Sequence, residues 1–218
     1  MISRRILFVP GLVLALGAGA TVQARPPTVP PLPPTATRAE PVETLTSQQQ
    51  KMLRVAKDLA SACERTLTRW LDSKEVSEAK LFSFLYYPIE GTDPPKFNTD
   101  WDRLSDRDIL ALEERALETS SAMIFAILVD KHGYLPTHNR RYSQELTGDM
   151  AVDLVNNRTK RIFADRTGYA AAINVQPYLI QHYSRDTGEQ IEDLSVPVYV
   201  RGRKWGSVRL GYRVVNEE

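Results

Sequence analysis

Apolar positions change their spacing along this chain, and the change divides it into a helical half and a strand half. In "LTSQQQKMLRVAKDLASACERTLTRWLDS" they recur at Met52, Leu53, Ala56, Leu59, Ala60, Cys63, Leu67, Trp70 and Leu71. Intervals of three and four make one stripe on a helix, with Lys51, Arg54, Lys57, Asp58, Glu64 and Arg65 largely off it. Thr46 and Gln49 stand at capping-box spacing, so the pattern predicts a helix over 46–72, roughly 37 Å long at 1.5 Å per residue. "KLFSFLYYPI" reads as a strand, ended by the turn-rich "EGTDPPKFNTDW". "SDRDILALEERALETS" reads as a second helix with Ser105 at its cap. From residue 122 the period is that of strands. "AMIFAILVD" is a continuous apolar run, which predicts a strand buried on both faces. "DKHG" is its turn, and Pro136 keeps "YLPTHN" from being a regular central strand. "TGDMAVDLVNN" reads as a short helix. "QPYLIQHYSRD" and "QIEDLSVPVYV" flank a hairpin turn with Gly188 placed for positive φ, and "VRGRKWGSVRLGYRVV" closes a second hairpin around "RGRK". Helices first, then antiparallel strands with helical insertions, make the class α+β, with a sheet core over about 120–215.

Composition changes the picture only at the ends. The 218 residues are 42% hydrophobic and 25% charged, ordinary for a globular protein. The first 24 residues stand apart: "MISRR", the apolar "ILFVPGLVLALGAGATV" and the small-residue exit "VQA" have the form of a secretory signal cut after Ala24, with an uncleaved N-terminal anchor as the alternative. Residues 25–43, with seven prolines, predict an extended linker, and the folded domain is expected over 44–218. Export to the periplasm or outside follows. The 28 Lys and Arg, less Arg4 and Arg5, leave 26 against 27 acids, a net charge of −1 that offers nothing to nucleic acid. Cys63 is the sole cysteine and lies on the apolar stripe, so stability must come from a packed core.

Three polar groupings are candidates for chemistry. Tyr134, Thr137, His138 and Asn139 follow the buried strand. Arg158, Lys160, Arg161 and Arg166 surround Ile162 and Phe163. Tyr183 and Arg185 lie on one later strand, with Trp205, Arg209 and Tyr212 on another. Strict alternation would point Trp205, Ser207 and Arg209 one way and Val208 and Leu210 the other. Guanidinium forks beside aromatic walls suit a small anionic or amphipathic ligand. The competing account is a solvated sheet face on which pairs such as Arg185 with Asp193 are purely structural. No His or Cys stands at metal-ligand spacing, no phosphate-cradling glycine loop or nucleophile motif occurs, and neither a cofactor nor an enzymatic role is expected.

The strings "DKHGYLPTHN", "NNRTKRIFADRTG" and "YSRDTGEQIEDLSVPVYVRGRKWGSVRLGY" resemble, in this order, a PAS-like or Cache-like sensor module of bacterial methyl-accepting chemotaxis receptors, over residues 120–213. The resemblance implies a long N-terminal helix packed along an antiparallel sheet of five or six strands, and a pocket for amino acids, organic acids or similar ligands. It places Tyr134–Asn139 near that pocket and "NNRTKRIFADR" over it. Arg158, Arg161, Arg185 and Arg209 would hold an anionic group, Tyr134, Tyr183 and Trp205 would be walls, and His138 and Asn139 would orient the pocket. Lys204 stands where such receptors often have His. The transmembrane helices, HAMP linker and signalling hairpin of such receptors are not among these residues, so a sensor of this kind would pass its signal to a membrane-bound receptor or kinase. The alternative is an interaction protein with a degenerate sensor fold, a homodimer through the long helix.

Overall fold

The computed structural model describes residues 45–184 and 190–215. The chain divides into two units, Met1–Val42 and Glu43–Glu218, and the described residues all lie in the second. The expected signal peptide, the proline-rich linker and the first hairpin turn with Gly188 therefore lie outside the described residues.

Helix α1 spans Ser47–Asp72 and opens on the capping box expected of it. Thr46 Oγ1 accepts from Gln49 N–H at 3.1 Å, and the Gln49 side chain accepts from Thr46 N–H at 3.1 Å. Its stripe of Met52, Ala56, Leu59, Ala60, Cys63, Leu67, Trp70 and Leu71 is buried. The stripe rests on a four-stranded antiparallel sheet made of β3 (Met123–Asp130), β6 (Leu179–Ser184), β7 (Gln190–Val200) and β8 (Arg203–Arg213), ordered β3-β8-β7-β6. Even-numbered Leu194, Val196, Val198, Val208, Leu210 and Tyr212 face α1, as pleating requires.

Between α1 and the sheet the order differs from expectation. "KLFSFLYYPI" is a one-turn helix α2 (Glu78–Leu81) followed by a short strand β1 (Tyr87–Ile89) paired with β2 (Lys96–Asn98). The second helix is two, α3 (Asp102–Asp108) and α4 (Leu110–Leu117), turning at the fully buried Ile109. That turn lets Asp108 accept from Trp70 Nε1 of α1 at 2.6 Å, while Glu113 faces β3. Ser105 is not a cap. It is buried inside α3, whose N-cap position is Trp101 with no side-chain cap, while Asp102 accepts from Thr99 N–H of the preceding turn at 2.6 Å.

Strand β3 is buried at every position but the half-buried Phe125, yet it is an edge strand. Its outward amides are met by side chains: Ala126 N–H donates to Asn139 Oδ1 and Leu128 N–H to Glu113 Oε1, each at 2.8 Å. The next strand, β4 (Tyr134–Leu135), turns away and pairs with β5 (Arg161–Ile162), which leaves the main sheet with four strands and two small sheets beside it. Gly133 makes the turn at φ 82°, and a Cβ there would sit 2.5 Å from the Phe163 carbonyl oxygen. Helix α5 (Met150–Asn156) follows the expected position, and α6 (Arg166–Ile173), unforeseen in the sequence pattern, covers the sheet face opposite α1.

Candidate functional site

The face of the sheet turned away from α1 is built by odd-numbered positions: Phe125, Ile127 and Val129 on β3, Ser207 and Arg209 on β8, Asp193 on β7. Gly211 continues that face without a side chain, and a Cβ there would fall 2.2 Å from the Phe125 ring. Its bareness is what lets the ring lie across the strand. Opposite this floor run the 3₁₀ turn Arg140–Tyr142, the loop through Arg158 and Phe163, and the start of α6. Between floor and cover lies a cavity of about 440 Å³, lined by Phe125, Ile127, Leu135, His138, Tyr142, Arg158, Phe163, Asp165, Thr167, Tyr183 and Arg209, with Ile124. That volume lies within the range of small-molecule sites.

Four of the expected site residues meet there: His138, Arg158, Tyr183 and Arg209. Arg209 is 7% exposed and its guanidinium is already engaged, Nε to Asp193 Oδ1 at 3.3 Å and Nη2 to Asp193 Oδ2 at 2.5 Å. This is a cross-strand ion pair of Asp193 with Arg209, and the expected pairing of Asp193 with Arg185 lies outside the described residues. The fork is thus fixed from behind and offers the cavity a cation whose charge is largely met. Arg158 lies 5.1 Å over the Phe163 ring. His138 is 3% exposed, 4.9 Å from Tyr142 and edge-on to Phe125 at 6.3 Å. Burial, with Arg158, Arg141 and Arg209 around it, pushes its imidazole down to about 3, so the ring is neutral at physiological pH. Its Nδ1 is buried without a hydrogen-bond partner, a state that costs about 1–3 kcal/mol when nothing fills it.

The others stand elsewhere. Asn139 is fully buried behind the wall, where it caps β3 and donates to Glu114 Oε1 at 3.0 Å. Arg161 stacks 5.0 Å over the Phe163 ring and donates to the Leu154 carbonyl at 3.5 Å, outside the lining. Tyr134 lies on the α1 side, its hydroxyl donating to the Phe97 carbonyl at 2.9 Å or to Asp102 at 2.8 Å. Trp205 lies there too, packed against Trp101 with ring centroids 5.2 Å apart and donating from Nε1 to the Leu81 carbonyl at 3.0 Å. Strict alternation put Trp205 beside Arg209, and that is corrected by a bulge. Val198 pairs with Gly206 but Tyr199 with Lys204, so Trp205 is the extra residue and its side chain joins Val208 and Leu210. Arg185 lies outside the described residues.

Sequence reasoning passed over the floor, Ile124, Phe125, Ile127 and Leu135, because an apolar run reads as core whichever face it lines. Tyr142 and Thr167 carried no signal beyond their nearness to His138 and Asp165. Among the described residues no cluster of His, Cys, Asp and Glu could hold a metal ion, and no helix is long and apolar enough to cross a membrane.

No protein-family model matches the chain, and no curated protein matches it. Among solved structures it is similar to an extracellular ligand-binding receptor from Desulfohalobium retbaense, at 14% identity and a TM-score of 0.32, over 77% of this chain and 25% of that one. It is also similar to the ligand-binding domain of the amino-acid chemoreceptor PctC of Pseudomonas aeruginosa, solved with GABA, at 19% identity and a TM-score of 0.30, over 77% of this chain and 62% of that one. The chain thus spans from a quarter to about three fifths of the structures it resembles. The fold is α+β, a long helix along one face of an antiparallel sheet, and function is to be read from the chain's own residues.

Proposed function

We propose that this chain is an exported, non-enzymatic sensor protein that binds a small amphipathic molecule in the cavity on the sheet face opposite α1 and passes the signal to a membrane-bound receptor or kinase. The observation that carries this is the cavity itself. It has an apolar floor, polar groups gathered at His138, Arg158, Tyr183 and Arg209, and a cover formed by the loop after β4 and the start of α6. A folding core fills such a space, and a binding site leaves it open. The cover is tied to the helical layer, because Glu114 of α4 accepts from Asn139 Nδ2 at 3.0 Å and from Arg140 N–H at 3.1 Å. Occupancy at His138 and Tyr142 therefore bears on residues that α4 holds, which gives a bound ligand a route to the surface that a partner reads.

A thermal-shift screen of the protein against amino acids, organic acids, purines, polyamines and neutral aromatics tests this. A ligand at 100 times its dissociation constant adds about 2.7 kcal/mol, or roughly 5–10 °C for a chain of this size. A shift confined to one chemical class and removed by Arg158→Gln supports the proposal. A flat screen on folded protein sinks it.

The second reading, an interaction protein, is favoured by α5, whose Met150, Leu154 and Val155 are exposed while its one buried side chain is Asp153. It is not favoured by α1, whose apolar stripe is covered by its own sheet. A dimer through α1 would have to use the polar face carrying Lys51, Arg54, Lys57 and Asp58. Sedimentation across a range of concentrations separates the two: association abolished by Val155→Asp supports an α5 interface.

A further inference from the structure

We infer that the open edge of β6 is a self-association surface: two copies of this chain pair their β6 strands antiparallel about a twofold axis at Gln181, which joins the two sheets into one. The inference stands apart from the reading of the cavity as a ligand site.

The two edges of the sheet are finished differently. β3 ends the sheet on one side, and its outward amides at Ala126 and Leu128 are met by Asn139 and Glu113. β6 ends it on the other, paired with β7 alone. Which of its backbone groups point outward follows from the alternation of an antiparallel ladder. Since Ala126 and Leu128 point away from β8, their opposites Leu210 and Val208 point toward β7. These meet Leu194 and Val196, so Asp193 and Ser195 serve β6 through Gln181 and Leu179. The backbone groups of Ile180 and His182 are therefore the ones turned outward. Among the described residues no backbone or side-chain group bonds to them.

Nor does β6 carry the usual defences of a bare edge. "LIQHYS" has no proline and no Asp, Glu, Lys or Arg, and its register with β7 is unbroken by a bulge. An edge left so is a template for another strand.

The occupant that fits is the same strand from a second copy. With Gln181 on the axis, Ile180 falls opposite the partner's His182, so the outward groups meet in hydrogen-bonded pairs. On the cavity face Leu179 falls opposite the partner's Tyr183, an apolar side chain against a ring. Each Gln181 amide donates once, to the Thr167 carbonyl at 2.9 Å, and keeps its oxygen and second N–H for its twin. No like charges stand opposite one another, the usual obstacle to a strand pairing with itself. Tyr183 also lines the cavity, so the partner's Leu179 comes to stand at its rim. The proline-rich 25–43 stretch is a poor alternative occupant, because proline brings no N–H to a ladder.

Sedimentation equilibrium of the full chain over a range of concentrations tests this. The expected result is a monomer–dimer equilibrium. Gln181→Lys sets two like charges face to face and should weaken the dimer about fivefold, as should Gln181→Glu. Mixing the two variants should restore association, because only the mixed dimer opposes unlike charges. In the unaltered chain, exchange of the Ile180 and His182 amides should slow as concentration rises, while that of Ala126 and Leu128 stays constant. That measurement decides the matter if the variants do not fold. A monomer at every concentration overturns the inference and leaves the edge to a strand of another protein. Association that Gln181→Lys leaves intact, or that Val155→Asp removes, overturns it by placing the interface elsewhere. So does a mixture that associates no better than either variant alone. None of these outcomes bears on the cavity, whose ligand screen is a separate measurement.

Discussion

Arg209 and Asp193 show how little a residue's type says about its role until its partner is known. Truncating one member of a buried ion pair strands the other, which costs about 3–5 kcal/mol, whereas replacing both with apolar groups of similar volume is often neutral or better. Arg209→Ala is therefore expected to lower the urea midpoint sharply, and Arg209→Met combined with Asp193→Leu to lower it far less. His138 sets a second expectation. With its imidazole held near 3 against an ordinary value near 6.5, the unfolded chain binds a proton in that window which the folded chain refuses. Stability contributed by the neutral ring is complete above the window and is lost as pH falls through it, by up to about 1.4 kcal/mol per pH unit. Glu113, raised by burial, works in the opposite direction: its contribution is present at low pH and lost as pH rises. Denaturation curves at stepped pH, with His138→Phe as the comparison, should show the acid-side loss reduced in the variant.

At the scale of elements, the edge of β3 is the place to probe. A strand edge left bare is an aggregation surface, and here Asn139 and Glu113 stand in for a neighbouring strand. Asn139→Ala should cost about 1–3 kcal/mol, the penalty of a buried amide left without its acceptor. Hydrogen exchange at Ala126 should quicken more than at Leu128, which keeps its own cap. Helix α1 is less sensitive at its start. Thr46→Ala removes one half of the capping box and should lower stability by about 1 kcal/mol, read as a small fall in melting temperature with unchanged association. The elements were unequally visible beforehand. The stripe of α1 and the apolar run of β3 announce themselves by period, because each buries a continuous face. The "RTGYAAAI" of α6 has a weak pattern, and its one local signal was Asp165 placed to cap Thr167 and Gly168.

Across the described residues, the arrangement is two layers on a sheet, a structural one under α1 and an open one under α6. The aromatic residues that the sequence offered as pocket walls, Tyr134 and Trp205, belong to the structural layer. Ligand binding should slow hydrogen exchange in two places at once, the 138–144 segment that lines the cavity and the α4 helix that Glu114 ties to it. Exchange measured with and without a ligand from the screen checks this, and protection confined to the cavity wall would break the proposed route from pocket to surface.

By itself the sequence determined the class, the long capped helix, the buried strand and the closing hairpin, since all of these depend on periods and turn residues a few positions apart. The tertiary structure alone decided which polar residues converge. One extra residue at Trp205 reverses a face, the departure of β4 leaves the sheet edge to side chains, and Arg209 is already engaged by Asp193. Each depends on register between strands far apart in the chain, where a single-residue shift moves a side chain to the opposite face.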